Sequence, residues 1–360
     1  MHPSTAEFRR AWLDVDLQAL VRNASRIAQL AGRPLLPMVK ADGYGLGAGA
    51  VAQALEGLEP WGYGVATVEE GAGLRAAGIS RPVVVFTPML PAAAAAYARH
   101  SLRPVIGDLD ALEAWTTIGG PFHVEIDTGM SRSGFVWHDG PLLDRLRSRL
   151  ASAEGWEGVF THFHSSDTDP AATEAQWDTF RALVESLPAR PPLVHAGNSA
   201  ACAYEQRYAA DLVRPGIFLY GGRAGSLEPE PVAALRARVV AVRRLRAGDT
   251  VSYDAEAMVG RETTVATLSI GYADGVPREL GNRGLVELGD DPMPILGRVT
   301  MDMVMVDAGD APVRPGDVAT LFGGRVSLEE QAALAGTNSY DLLTRVSARI
   351  PRRHFGRSDT

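Results

Sequence analysis

Only one of the 35 basic residues in this chain is a lysine, Lys40; all the others are arginine. A GC-rich coding bias accounts for the arginines, and the survivor is the informative residue. Arginine serves for surface charge and ion pairs, but a guanidinium neither forms an imine nor acts as an amine nucleophile at neutral pH. Lys40 is followed by ADGYGLG, a glycine-rich turn. Its amine is the first candidate for covalent chemistry on a carbonyl.

Further chemistry-bearing residues fall in short motifs. Arg132 lies in DTGMSRSGF and His162 in FTHFHSSD. His195, Asn198 and Ser199 lie in HAGNSAA, and Arg214, Gly216 and Ile217 in VRPGI. Ser199 is placed to open a helix, where N–H groups and a hydroxyl face an anion. Gly216 lets a second loop approach closely. Together they suggest a phosphate cup opposite the only lysine. A phosphate-bearing aldehyde bound through that lysine is pyridoxal 5′-phosphate (PLP). Bland alternatives stand beside each reading: strand-end ion pairs for Arg132 and Arg214, core histidines for His162 and His195, a helix cap for Ser199, and β-strand packing for Tyr253 and Tyr272. No metal site is expected: HExxH and CxxC are absent, and His162 and His164 point to opposite faces of a strand.

These residues need a scaffold that gathers them. Eight short apolar runs recur at 35–41, 61–67, 82–88, 103–108, 122–129, 158–165, 193–199 and 211–221. Helix-compatible segments lie between them, such as 48–57, 68–77, 109–118, 139–150 and 171–187. Alternating strand and helix predicts parallel pairing with crossovers. The expected fold is α/β: an N-terminal (β/α)8 TIM-type barrel over 1–230, with function at the C-terminal ends of its strands. A doubly wound sheet is the rival, weakened by the lack of GxGxxG after the first strand. From 231 to 360 the texture changes to short strands at 236–245, 250–253, 263–270, 285–288, 293–299, 303–306 and 318–322, with helices near 327–335 and 339–346. That predicts a mostly-β C-terminal domain.

Composition narrows the class. Hydrophobic residues at 46% and charged residues at 22% are those of a globular protein, which excludes a disordered chain or fibre. A net charge of −8 argues against a nucleic-acid partner. No run of 18 apolar residues predicts a membrane span. The opening MHPSTAEFRRAWLDVD has no apolar leader core, and the single cysteine, Cys202, excludes an intrachain disulfide. The cytoplasm is the expected compartment.

The ordered motifs AWLDVDLQALVRN, MVKADGYGLG, DTGMSRSGF, THF, HAGNSAA, RPGIFLYG, IGYADG, GRVTMDM and SYDLL…ARIPR resemble those of the alanine racemase family over nearly the whole chain. The resemblance implies a PLP-dependent isomerase that interconverts L- and D-alanine by a two-base mechanism and supplies D-alanine for peptidoglycan. It implies a homodimer with shared active sites. Lys40 would carry PLP and act as one base, and Tyr253 from the partner subunit as the other. Arg214 would face the pyridine nitrogen with His195 behind it, and His162 would lie near the ring. Tyr44, Ser199, Gly216, Ile217 and Tyr340 would hold the phosphate. Arg132 and the backbone of Met301 would position the substrate carboxylate. Tyr272, Asp302, Asp167 and Arg278 would line the approach.

Leu46 stands where the family's lysine motif has histidine, and Glu125 where many members have a carbamylated lysine. Gly197 replaces a common alanine, and the run after Tyr253 is YDAEAMVG. These departures are expected near the mouth, where they bear on which small amino acid fits. A broader racemase, acting for example on serine, is therefore the alternative. A decarboxylase of the same fold is disfavoured because Arg214 stands where a carboxylate would be expected. A non-catalytic PLP-binding protein is disfavoured by the second domain.

Overall fold

A computed structural model describes residues 9–289 and 291–356. Six parallel strands pair in the order Tyr63–Val65, Val83–Pro88, Arg103–Ile106, Phe122–Asp127, Trp156–Phe160 and Leu193–His195. Their β-branched and aromatic residues suit a wall covered on both faces, and Val83, Val84 and Val85 are all fully buried. The first and last of the expected eight strands are reduced to single bridges. Leu35 pairs with Val213, Met38 with Gly64 and Asn198 with Arg214, all parallel. These bridges carry the wall from the last strand round to the first, giving the expected TIM-type curl. Pro34, Pro37 and Pro215 explain the reduction, since proline offers no N–H to a ladder. The rest of the 211–221 run is a tight helical turn, Ile217–Tyr220.

Helices cross back between the strands, and four of them start on a residue whose side chain caps them. Thr67 forms a capping box with Glu70 at the head of Val68–Ala76. Asp108, Asp139 and Asp169 accept backbone N–H groups at the heads of Leu109–Ile118, Gly140–Leu150 and Pro170–Glu185.

The second sheet is built on the long strand Ala233–Leu245. Its first half pairs antiparallel with Ala11–Asp16 on one side and Val318–Phe322 on the other, so Ala237 lies between Ala11 and Ala319. Its second half pairs with Thr263–Leu268, which in turn pairs with Val304–Gly309. Ala11–Asp16 also pairs with Arg352–Phe355. The beginning and end of the described chain therefore meet in this sheet rather than in the barrel. The strand expected at 293–299 is shorter and earlier, Asp291–Pro294, followed by one bridge from Ile295 to Val306. Helices Leu328–Leu334 and Ser339–Thr344 pack beside the sheet. Among the described residues no helix is long and apolar enough to cross a membrane.

Candidate active site

The C-terminal ends of the barrel strands surround a cleft. Lys40 lies on its wall, partly buried, at the start of a turn with unusual geometry. Ala41, Asp42, Gly43, Tyr44 and Gly45 all have positive φ, from 51° to 82°, which makes one left-handed helical turn. L-residues resist that conformation by roughly 1–2 kcal/mol each. Hydrogen bonds hold it: Gly43 N–H donates to Val39 O and Gly45 N–H to Ala41 O, both at 2.8 Å. Glu70 accepts from Ala41 N (2.6 Å) and Ala66 N (2.7 Å), and Asp42 accepts from Ala48 N at 2.8 Å. The turn thus ties Lys40 to the next βα unit. Burial pushes the Lys40 ammonium below its ordinary pKa, and the positive charge of Arg132 adds to this; Glu70 opposes it.

Tyr44, Ser199, Gly216, Ile217 and Tyr340 share the cleft with Lys40. Gly216 N–H donates to Ser199 Oγ at 3.0 Å. Tyr44 stacks on Tyr220, with centroids 4.4 Å apart, and leans against Tyr340 at 6.1 Å. Ser199 is not the cap of the helix that follows, as its position had suggested. That helix is one short turn, Ala201–Tyr204, and Asn198 Oδ1 accepts from Ala200 N and Ala201 N. Asn198 also hydrogen-bonds Ser166. Neutral hydroxyls and a close backbone loop, facing an amine, fit a phosphate-bearing aldehyde. The fit is visible at Gly216, where a Cβ would intrude on the Tyr44 hydroxyl.

Arg214 lies on the floor of the cleft and is buried. Its Nη2 donates to Thr161 O (2.8 Å) and Ala196 O (2.9 Å), and its Nη1 to His195 Nδ1 at 2.9 Å. The guanidinium lies over the Phe160 ring at 5.2 Å and the Phe86 ring at 5.9 Å. Burial pulls its pKa down to about 10, which still leaves it protonated at neutral pH. His195 is behind it, fully buried, as expected. His162 lines the cleft, and burial with nearby Arg214, Arg132 and Lys40 pushes it down to about 3, so the ring is neutral.

Arg132, Glu125 and Asp167 complete the lining. Glu125 is buried, and its Oε2 has no hydrogen-bond partner. Burial raises its pKa, while Ser133 and the charge of Arg132 oppose the rise. Two of the sequence departures lie away from the mouth. Leu46 is fully buried in the core, and its carbonyl accepts from His354 Nε2 at 2.7 Å. Gly197 stands against Cys202 Sγ, 2.8 Å from where a Cβ would sit. Neither lines the cleft.

Five expected site residues, Tyr253, Met301, Tyr272, Asp302 and Arg278, are not brought to this cleft within one chain. Tyr253 is 70% exposed and Met301 53% exposed, both on the β domain. Tyr253 borders a groove with Val251, Thr300 and Met303. Tyr272 borders a separate hollow with Arg278 and Arg345, and Asp302 pairs with Arg349. Sequence reading missed Phe86, Phe160, His123 and Glu157. The first two are apolar residues on barrel strands with no local mark of their function. His123 and Glu157 are lone polar residues at strand starts, visible only once the barrel closes.

A parallel barrel with a left-handed lysine turn, a hydroxyl-lined cup and an appended β domain defines the class of lysine-bearing, phosphate-cofactor barrels. The comparisons are specific. Residues 15–224 match the alanine racemase N-terminal domain and residues 232–354 the alanine racemase C-terminal domain. The alanine racemase of Salinispora arenicola is 38% identical, over 96% of this chain and 99% of that protein. That of Halothermothrix orenii is 33% identical, over 96% and 97%. Among solved structures, the biosynthetic alanine racemase of Pseudomonas aeruginosa superposes with a TM-score of 0.88 at 32% identity, covering 97% of this chain and 100% of that one. The Bartonella henselae alanine racemase, solved with covalently bound pyridoxal phosphate, gives 0.90 at 29% identity, covering 96% and 100%. The chain belongs to the alanine racemase family and is an isomerase.

Proposed function

We propose that the chain racemises alanine with PLP as its cofactor, moving the Cα proton between Lys40 and the partner subunit's Tyr253. Lys40 Nζ would hold the cofactor through its aldehyde carbon. Tyr44, Ser199, Gly216, Ile217 and Tyr340 would hold the phosphate, with Asn198 beside them in the cofactor's cleft. Bound there, PLP supplies a conjugated electron-withdrawing system that makes the Cα–H of an amino acid acidic. Racemisation then needs a base on each face of a planar carbon, one to remove a proton and one to return it. Burial lowers the pKa of Lys40, which favours the free amine that one base needs. The phenol of Tyr253 is the other. Because Tyr253 is exposed and outside its own chain's cleft, the second base is assigned to an isologous dimer. Arg132 and the backbone of Met301 take the substrate carboxylate, and Tyr272 lines the approach. Arg214 would face the pyridine nitrogen and donate to it. A guanidinium has no acceptor site, so it cannot take a proton from that nitrogen.

The observation that carries this reading is the setting of the chain's one lysine, partly buried in the same cleft as the hydroxyl cup and Arg132. Borohydride reduction of the yellow holoprotein, followed by digestion, should leave the pyridoxyl group on the peptide containing Lys40. A chiral assay should show D-alanine formed from L-alanine ahead of serine. A protein that takes up no PLP, or that turns over serine faster, overturns the corresponding part of the reading.

A further inference from the structure

Behind Arg214 a line of polar side chains crosses the inside of the barrel. Arg214 Nη1 meets His195 Nδ1 at 2.9 Å. His195 Nε2 meets His123 Nδ1 at 2.8 Å. His123 Nε2 meets Glu157 Oε2 at 3.2 Å, and Arg103 Nε closes the line on the same oxygen at 2.5 Å. The five residues come from five different strand segments, and both histidines are fully buried.

We infer that His123 and Glu157 are positioning residues for Arg214, holding it through His195 by a one-way hydrogen-bond chain in which each imidazole carries its single proton on Nε2. The direction follows from the ends. A guanidinium only donates, so His195 Nδ1 must accept. A neutral His195 then carries its proton on Nε2 and donates to His123 Nδ1. His123 in turn carries its proton on Nε2 and donates to the Glu157 carboxylate. Reversal would set an N–H of His195 against an N–H of Arg214.

The surroundings support a built feature rather than incidental packing. Burial, then nearby positive charge, holds His195 well below its ordinary pKa, and burial likewise lowers His123. Burial pushes Glu157 up, but its bonds to His123 and Arg103 outweigh this and keep it below the usual carboxylate range. A Cβ at Gly158 would lie 2.5 Å from His123 Nδ1, so the neighbouring strand leaves room for the ring only as glycine. Phe160 stacks on His195 at 5.0 Å, and Trp61 leans on His123 at 5.7 Å. Buried polar groups are costly unless every one is satisfied, and here each ring nitrogen has a partner.

The consequence for catalysis rests on the assignment of Arg214 to the pyridine nitrogen. Arg214 touches histidine and two backbone carbonyls, and no carboxylate bonds it directly. Glu125 of the same cleft acts on it through space, and the Glu157 charge stands two imidazoles away. That arrangement would fix the guanidinium toward the cofactor ring with no carboxylate bonded to it.

The test uses the holoenzyme labelled with 15N-histidine. Long-range 15N NMR should show His123 and His195 protonated on Nε2 and bare on Nδ1. Glu157→Gln keeps the acceptor and removes the charge. It should lower kcat about tenfold, as loss of an outer hydrogen-bond partner commonly does, with KM within about twofold, and shift the visible absorption band. Gly158→Ala should displace the His123 ring and alter both histidines' nitrogen shifts. A proton on Nδ1 of either ring overturns the chain. So does a Glu157→Gln enzyme with the parent's band, kcat and KM, which would leave Glu157 a partner of Arg103 only. The NMR readout does not depend on turnover, so a parent protein that fails to racemise alanine refutes the proposed function separately.

Discussion

A Cβ on Gly216 would lie 2.4 Å from the phenolic oxygen of Tyr44. The loop after the last barrel strand and the turn after Lys40 therefore meet at a point where no side chain fits between them. Tyr44 has little room to yield, because it stacks on Tyr220, whose hydroxyl donates to Met38 O at 2.7 Å. Gly216→Ala should cost about 1–3 kcal/mol of strain at this point. If the contact forms part of a phosphate cup, PLP affinity should fall by about tenfold or more, at about 1.4 kcal/mol per decade. Absorbance titration of the apoprotein measures this. Unchanged affinity would place the phosphate elsewhere.

The setting of Lys40 predicts how PLP capture depends on pH. Only the free amine attacks an aldehyde, and burial together with Arg132 lowers the pKa of Lys40 from its ordinary 10.5. The loading rate should therefore rise with pH and level off below that value. Arg132→Leu removes a repelling cation and should move the midpoint up. Glu70→Gln removes a stabilising anion and should move it down. Stopped-flow absorbance of PLP addition gives the midpoints, and a parent midpoint at the ordinary lysine value would contradict the geometry.

Much of the scaffold was legible because local chemistry and tertiary structure agree. Leu109–Ile118 follows Asp108, which caps it, and its apolar spacing matches the face it buries. The ends of the barrel were harder to read. The runs at 35–41 and 211–221 are as apolar as their neighbours, yet Pro34, Pro37 and Pro215 cut their ladders to bridges. Ala11–Asp16 joins the far sheet through pairing with residues more than 200 positions away, which no local pattern encodes. In the cleft, Lys40, Ser199 and Gly216 stood out by residue type and loop position. His123 and Glu157 did not, because neither belongs to a motif and only strand register brings them together. Leu46 lay inside a motif expected at the mouth, but the left-handed turn directs it into the core.

Subunit sharing can be tested by mixing variants. Lys40→Ala removes the residue proposed to hold the cofactor, and Tyr253→Phe removes the exposed phenol. Each homodimer should be nearly inactive. In a heterodimer, one of the two sites would keep both Lys40 and the partner subunit's Tyr253. Activity should therefore return on mixing once subunit exchange has occurred, reaching about a quarter of the parent rate for random pairing of equal amounts if sites are independent and both singles are dead. No recovery, with exchange verified by mass or a fluorescent label, would mean that Tyr253 acts within its own chain or takes no part.

Arg214 should protect the fidelity of the reaction. It is buried, remains protonated at neutral pH, and its partners are His195, two carbonyls and, at 3.4 Å, His162 Nδ1. Placed against the pyridine nitrogen as proposed, it would donate a hydrogen bond and could not accept the ring proton, which would limit how far the ring draws electron density from Cα. Arg214→Glu places a carboxylate there that stabilises a protonated ring. Racemisation should slow by two or more powers of ten, equivalent to roughly 3 kcal/mol of lost transition-state stabilisation. A new absorption band at longer wavelength and a larger share of transamination should accompany the loss. Arg214→Lys keeps a cation with no acceptor and should show the slower rate without the new band, which separates the electronic effect from mere disturbance of the site. If Arg214→Glu racemises alanine at the parent rate with no new band, Arg214 is a structural residue and the electronic argument fails.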